Sequence, residues 1–160
     1  MRKPGYYLKV CLISINVNMS SVKVSKEIKK FSEYEKLVQG FHQHIKDNTP
    51  VFLGRDVAYD HYNTSPMVKR YLRHIHICVP LNEAPSKWAT IVDIFKRTNQ
   101  KDDPDKDFAL VYCYNDLTDT YYLLTIIGPD AHNYERWMGF LRDTAIQAEH
   151  LLLGFKKQLA

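Results

Sequence analysis

The chain has 160 residues, 45% hydrophobic and 25% charged, a globular composition that excludes a fibrous or disordered protein and suits a single domain over residues 1–160. No apolar run reaches the roughly 18 residues that a membrane span requires, so a cytoplasmic protein without a membrane partner is expected. The net charge of +4 is uneven: residues 1–50 hold nine Lys/Arg against four acids and residues 65–101 seven against two, whereas residues 102–119 hold six Asp and one Lys.

Within an N-terminal segment, residues 1–24, Tyr6–Val17 is rich in Val, Ile, Leu and Tyr and predicts a strand. Arg2 and Lys3 before it imitate a signal peptide, but Lys9, Asn16 and Asn18 break the run and no Ala-x-Ala-like site follows. Ser25 suits the cap of a helix running to about Lys46, with Ile28, Phe31, Tyr34, Val38, Phe41 and Ile45 on one side. Asn48-Thr49-Pro50 ends it. The stretch Gly54–Pro66 is polar and aperiodic, and predicts an irregular loop. Arg73–Val79 predicts a strand. Pro85 then opens a short helix with Trp88, Ile91, Val92 and Phe95 on one side.

Arg97–Lys106 predicts an Asp-rich loop, and Phe108–Tyr114 with Tyr121–Ile127 an antiparallel hairpin. After Gly128-Pro129, residues 133–158 predict a last helix with a buried stripe of Trp137, Leu141, Ala145, Ala148, Leu152 and Phe155. This order predicts an α+β domain: an antiparallel sheet with helices packed on one face and the other face open. Cys11, Cys78 and Cys113 are odd in number and form no CxxC pair. Two lie in apolar runs, which points to buried thiols and not to bridges or metal ligands.

No Walker A loop, GxGxxG, HExxH or GxSxG occurs, which excludes nucleotide, zinc-protease and serine-hydrolase chemistry of those kinds. Four clusters remain. Strand alternation puts His74 and His76 on one face, about 7 Å apart, with Ile75 and Ile77 on the other. Such a pair serves as general base and acid near neutral pH, or as two hydrogen-bonded histidines without chemistry. Spacing supplies no third ligand, so no metal is expected. Gly54-Arg55-Asp56, followed by Tyr59-Asp60, suits either a phosphate clamp or a structural ion pair. Arg97-Thr98-Asn99 with Lys96 places cations at a helix end, where they meet the helix dipole or bind a phosphate. His132 stands before the final helix, whose first N–H groups attract anions.

Taken together and in this order, these clusters resemble the YafO family of type II toxin–antitoxin toxins. The residues that carry the resemblance are Gly54-Arg55-Asp56 with Tyr59-Asp60, His74-Ile75-His76, Arg97-Thr98-Asn99, Leu110-Val111-Tyr112-Cys113, and Ile126-Ile127 with Pro129 and His132. They span a motif-bearing core, residues 52–132, within a likeness over about 35–155. The resemblance implies a RelE/ParE-like fold and an mRNA interferase, an endoribonuclease that cuts message on the ribosome and is silenced by a cognate antitoxin.

On that resemblance the expected mechanism is transesterification with no metal and no cofactor. His76 or His132 acts as base and the other as acid, in open order, with His74 beside them. Arg97 and Arg55 bind the phosphate, and Asp56 orients one of them or a histidine. Lys69, Arg70, Arg73, Lys96, Asn99 and Tyr112 contact RNA, with Tyr112 serving equally well as a structural tyrosine. Two alternatives stay open: a toxin of the same superfamily directed at another target such as gyrase, and a non-enzymatic RNA-binding regulatory module.

Overall fold

The computed structural model describes residues 19–99 and 103–159, with side chains through Gly154. The strand expected at Tyr6–Val17 and the stripe position Phe155 lie outside the described residues and side chains. Among the described residues five strands form one sheet: β1 (Ser21–Val24), β2 (Leu53–Ala58), β3 (Arg73–Ile77), β4 (Phe108–Asn115) and β5 (Thr120–Ile127). Their spatial order is β1-β5-β4-β3-β2, antiparallel throughout except for the parallel β1–β5 pair. The helices are α1 (Lys26–Lys29), α2 (Tyr34–His44), α3 (Pro66–Tyr71), α4 (Ser86–Thr90) and α5 (Tyr134–Leu159). The fold is α+β with a mostly antiparallel sheet, as expected.

The open face is corrected, because helices cover both sides. Ile75, Ile77, Leu110 and Leu123 pack against Ile28 of α1, Leu37 and Phe41 of α2 and Trp88 of α4. On the reverse face Ala109, Val111, Cys113, Leu124 and Ile127 lie under Val68 of α3 and Leu141, Ala145 and Ala148 of α5. The central strands are apolar on both alternations, so water must be kept from both. Alanines at 145 and 148 let α5 approach the sheet closely, and its stripe is the expected one.

Three local expectations change. The helix from Ser25 to Lys46 is two helices. Ser25 caps α1 by accepting from the Ile28 N–H, but Glu33 leaves the helical path and its carboxylate accepts from the Leu81 N–H at 2.9 Å. The expected loop Gly54–Pro66 is β2 for its first half; an edge strand tolerates the polar residues that masked it. Pro66 at the first turn starts α3, which no periodicity announced. The short helix after Pro85 stops at Thr90, and of its expected apolar side only Trp88 is buried, with Val92 97% exposed. Asp93 ends the pattern by capping a separate 3-10 turn, Ile94–Lys96.

That turn is held against β2 by the Arg55 N–H, which donates to the Arg97 carbonyl at 3.0 Å. A Cβ on Gly54 would collide with the same carbonyl oxygen and crowd Arg97 Cβ and the Trp88 ring. Gly54→Ala therefore lowers stability by about 1–3 kcal/mol, the usual cost of overpacking. A urea-unfolding midpoint equal to that of the parent chain would refute this account of the β2–turn contact.

Candidate functional site

On β3, His74 lies opposite Val111 and His76 opposite Ala109 of β4, so both imidazoles stand on the α3–α5 side, as alternation predicts. They are not on open surface: each is 2% exposed. The turn between β5 and α5 covers them. It is fixed to the loop before β4 by Asp130 N–H to the Pro104 carbonyl at 2.8 Å and Ala131 N–H to the Asp107 carbonyl at 3.0 Å. The Trp137 indole N–H donates to the Asp130 carbonyl and secures the start of α5.

This turn delivers His132. Its backbone N–H donates to Asp107 Oδ2 at 3.1 Å, and its ring Nδ1 lies 2.8 and 3.0 Å from the two carboxylate oxygens. A carboxylate bound to Nδ1–H fixes the tautomer and aims Nε2 the other way. There it meets His74 Nε2 at 3.1 Å. The His76 ring stacks on His132 with centroids 4.3 Å apart, and Tyr59 stacks on His74 at 4.2 Å. The Nδ1 atoms of His74 and His76 are buried without a protein hydrogen-bond partner. A cleft of about 210 Å³ opens onto the three histidines, with Arg55, Asp60 and Tyr134 among its walls.

Burial sets the charge state of the strand histidines. His74 is pushed down to about 3, first by desolvation and then by the nearby His132, Arg73 and Arg55. His76 is pushed down to about 2 by desolvation, then by His132, His74 and Arg55. Both are neutral at neutral pH. Desolvation likewise raises the Tyr59 hydroxyl well above its ordinary range.

Of the other expected site residues, only Arg55 joins the cleft. Its Nε donates to the Phe95 carbonyl and its guanidinium lies 4.2 Å over the Phe95 ring. Asp56 points to the opposite face, where it binds His44 Nε2 at 2.8 Å and accepts from the Tyr112 hydroxyl at 2.7 Å. Arg73 joins that network through the Tyr112 hydroxyl, and Tyr112 is 3% exposed, which leaves no ring face for a base. Arg97 donates to the carbonyls of Pro50, Leu53 and Ile91. Asn99 donates to the Lys106 carbonyl. Lys69 and Arg70 on α3, and Lys96 on its turn, are exposed.

The expectation of no third ligand for the histidine pair is also corrected. One ring nitrogen each from His74, His76 and His132 lies within 4.8 Å of the others, an arrangement that can hold a metal ion. Sequence spacing could not show this, because His132 arrives from a distant turn. Asp107 went unseen for the same reason: in sequence it is one of six Asp in an acidic stretch, and only its place directly before an apolar strand sets it apart.

A family model described as Toxin YafO, type II toxin-antitoxin system, matches residues 23–152. The chain belongs to the YafO family. The match runs from β1 through most of α5 and takes in Asp107 and all three histidines. As a type II toxin, a YafO protein has a cognate antitoxin as its partner. No curated protein and no solved structure matches the chain significantly. Among the described residues no helix is long and apolar enough to cross a membrane.

Neutral buried histidines make the stability of this YafO toxin depend on pH. An unfolded histidine binds a proton near pH 6.5, whereas folded His74 and His76 do so only near 3 and 2. Below pH 6.5 the unfolded chain thus holds more protons, and stability falls as pH falls. The slope is at most about 1.4 kcal/mol per pH unit for each histidine. Urea unfolding in chelator-containing buffer is expected to weaken steadily from pH 6.5 to 5, and less steeply in the double variant His74→Asn/His76→Asn. Equal slopes would mean that the imidazoles are charged in the fold.

Proposed function

We propose that this YafO toxin is an endoribonuclease that inhibits translation by cleaving mRNA on the ribosome, through metal-independent transesterification. The observation that carries this reading is the buried Asp107–His132–His74 chain, with His76 stacked on it, at the floor of a cleft that also holds Arg55.

Three imidazoles this close accommodate one added proton far more easily than two, because like charges in a dry site repel strongly. Asp107, 2.8 Å from His132 Nδ1, balances the charge when that proton sits on His132. His132 is accordingly the acid. One of the neutral strand histidines is the base: it takes the proton of a ribose 2′-OH, whose oxygen attacks the adjacent phosphorus. The bond to the 5′-oxygen breaks, His132 protonates that oxygen, and a 2′,3′-cyclic phosphate remains. Negative charge grows on the phosphate oxygens, and Arg55 is the cation placed to meet it. Its Nε is spent on the Phe95 carbonyl, which orients the two terminal amino groups as the phosphate donors. Requirement for the 2′-OH confines cleavage to RNA. Exposed Lys69, Arg70 and Lys96 contribute salt-dependent attraction to ribosomal or message backbone. In this proposal Arg97, Asp56, Asn99 and Tyr112 support the fold and do not touch RNA.

A translating extract with end-labelled message tests the scheme. Ribosome-dependent cuts are expected from the parent chain, with a loss of about 10²–10⁴-fold in His132→Ala, the range typical of a lost acid–base group. Asp107→Asn keeps a hydrogen-bonding partner but removes the balancing charge, and is expected to fall between the two. Growth arrest by His132→Ala at the parent level would sink the proposal and favour a toxin that acts by binding alone, such as one directed at gyrase.

A further inference from the structure

We infer that His74, His76 and His132 form a binding site for a zinc-like divalent cation whose occupancy blocks the acid–base chemistry proposed above, a blocking role that rests on that proposal. The geometry comes first. One nitrogen from each ring lies within 4.8 Å of the others. The His74 Nε2–His132 Nε2 distance of 3.1 Å is near the edge of about 3.3 Å in a tetrahedron whose metal–nitrogen bonds are about 2.0–2.1 Å. Closing three nitrogens around one ion requires the rings to turn, the His76 ring out of its stack on His132 included.

The surroundings resemble those of histidine metal sites. With its Nδ1–H held by Asp107, His132 presents the Nε2 lone pair inward, and a carboxylate behind a histidine is the usual outer support of a metal ligand. Two Nε2 atoms facing each other need something between them: either a proton or a cation satisfies both lone pairs. His76, buried to 2% exposure, has an Nδ1 without a protein hydrogen-bond partner, 3.9 Å from the Asp107 carboxylate.

An all-nitrogen set selects zinc-type ions over magnesium or calcium, which prefer oxygen. Three protein ligands leave the fourth position for water, directed to the cleft. Of the charged groups around it, Asp107 and the cleft carboxylate Asp60 favour a cation, and Arg73 and Arg55 oppose it. Each ligating nitrogen gives up its proton or its capacity to take one. The loaded site therefore has neither base nor acid, and the ion holds the toxin inactive until it is removed.

The full-length toxin, stripped with chelator, is titrated with Co²⁺ and then Zn²⁺. One Co²⁺ per chain is expected, with the intense visible absorption of a tetrahedral site, displaced by Zn²⁺. Thermal stability should rise with Zn²⁺ concentration by mass action. His76→Asn and His132→Asn should each abolish the band, and Asp107→Asn should weaken binding about 10–100-fold. A parent chain with no stoichiometric band, or a band that survives in both folded histidine variants, overturns the site. Should a variant fail to fold, the parent titration decides by itself. Cleavage is read separately. Stripped toxin that cuts message and loaded toxin that does not support the inference. A toxin that cuts message but takes up no ion in the titration removes the inference and leaves the proposed function standing, and one that cuts equally well stripped and loaded overturns the blocking role. Cutting only when loaded overturns both the blocking role and the metal-independent mechanism.

Discussion

The contact on which the rest of the molecule depends is that between Asp107 and His132. A carboxylate that is 1% exposed has lost nearly all its hydration, a cost of several kcal/mol unless protein groups replace the water. Here a backbone N–H and an imidazole nitrogen of His132 replace it. The same aspartate ends the 3-10 turn Pro104–Lys106 and directly precedes β4, and its carbonyl accepts from Ala131. One residue thus joins the acidic loop, the first residue of a central strand and the turn that launches α5. The position of the final helix and the closure of the cleft follow from it.

A second carboxylate–histidine pair makes the contrast clear. On the other face Asp56 binds His44, and the resemblance in composition is close. Yet His44 uses both ring nitrogens, Nε2 on Asp56 and Nδ1 2.8 Å from Thr49 Oγ1, while Tyr112 and Arg73 occupy the rest of the carboxylate. That network is complete, and it fastens α2 to the sheet edge. The network around His132 is incomplete: the buried Nδ1 atoms of His74 and His76 have no protein hydrogen-bond partner, His76 Nδ1 coming only within 3.9 Å of Asp107, and a cleft opens on the rings. Unfinished hydrogen bonding on clustered imidazoles beside a cavity points to a site that something else completes.

Much of the fold was legible because its signals are local. The hairpin of β4 and β5, strand β3 with its histidines on one side, and the stripe of α5 all follow from periodicity. The capping role of Ser25 follows from residue type. What escaped was set by tertiary contacts. Glu33 breaks a continuous apolar pattern because Leu81 needs an acceptor, and β2 reads as a loop because its edge position admits Arg55 and Asp56. For the site, the strand histidines were visible as a pair and His132 as a separate candidate. Nothing in their spacing said that they meet, or that Asp107 binds one of them. Adjacency in space between a turn and a strand far apart in sequence leaves no periodic trace.

Arg97 shows how a residue can be read correctly as important and wrongly as to its contact. In sequence a guanidinium after a helix end resembles a phosphate ligand. In the fold its donors go to the carbonyls of Pro50, Leu53 and Ile91, which closes the segment from Ile91 to Arg97 against the start of β2. Phe95 lies in that segment, and Phe95 in turn holds Arg55 by its carbonyl and its ring. The cation at the cleft therefore depends on a second cation that never reaches it. Replacing a flexible exposed arginine by one anchored at Nε and over a ring lowers the entropy lost when a phosphate is bound. The arginine held by three carbonyls is what gives the one at the cleft a fixed direction.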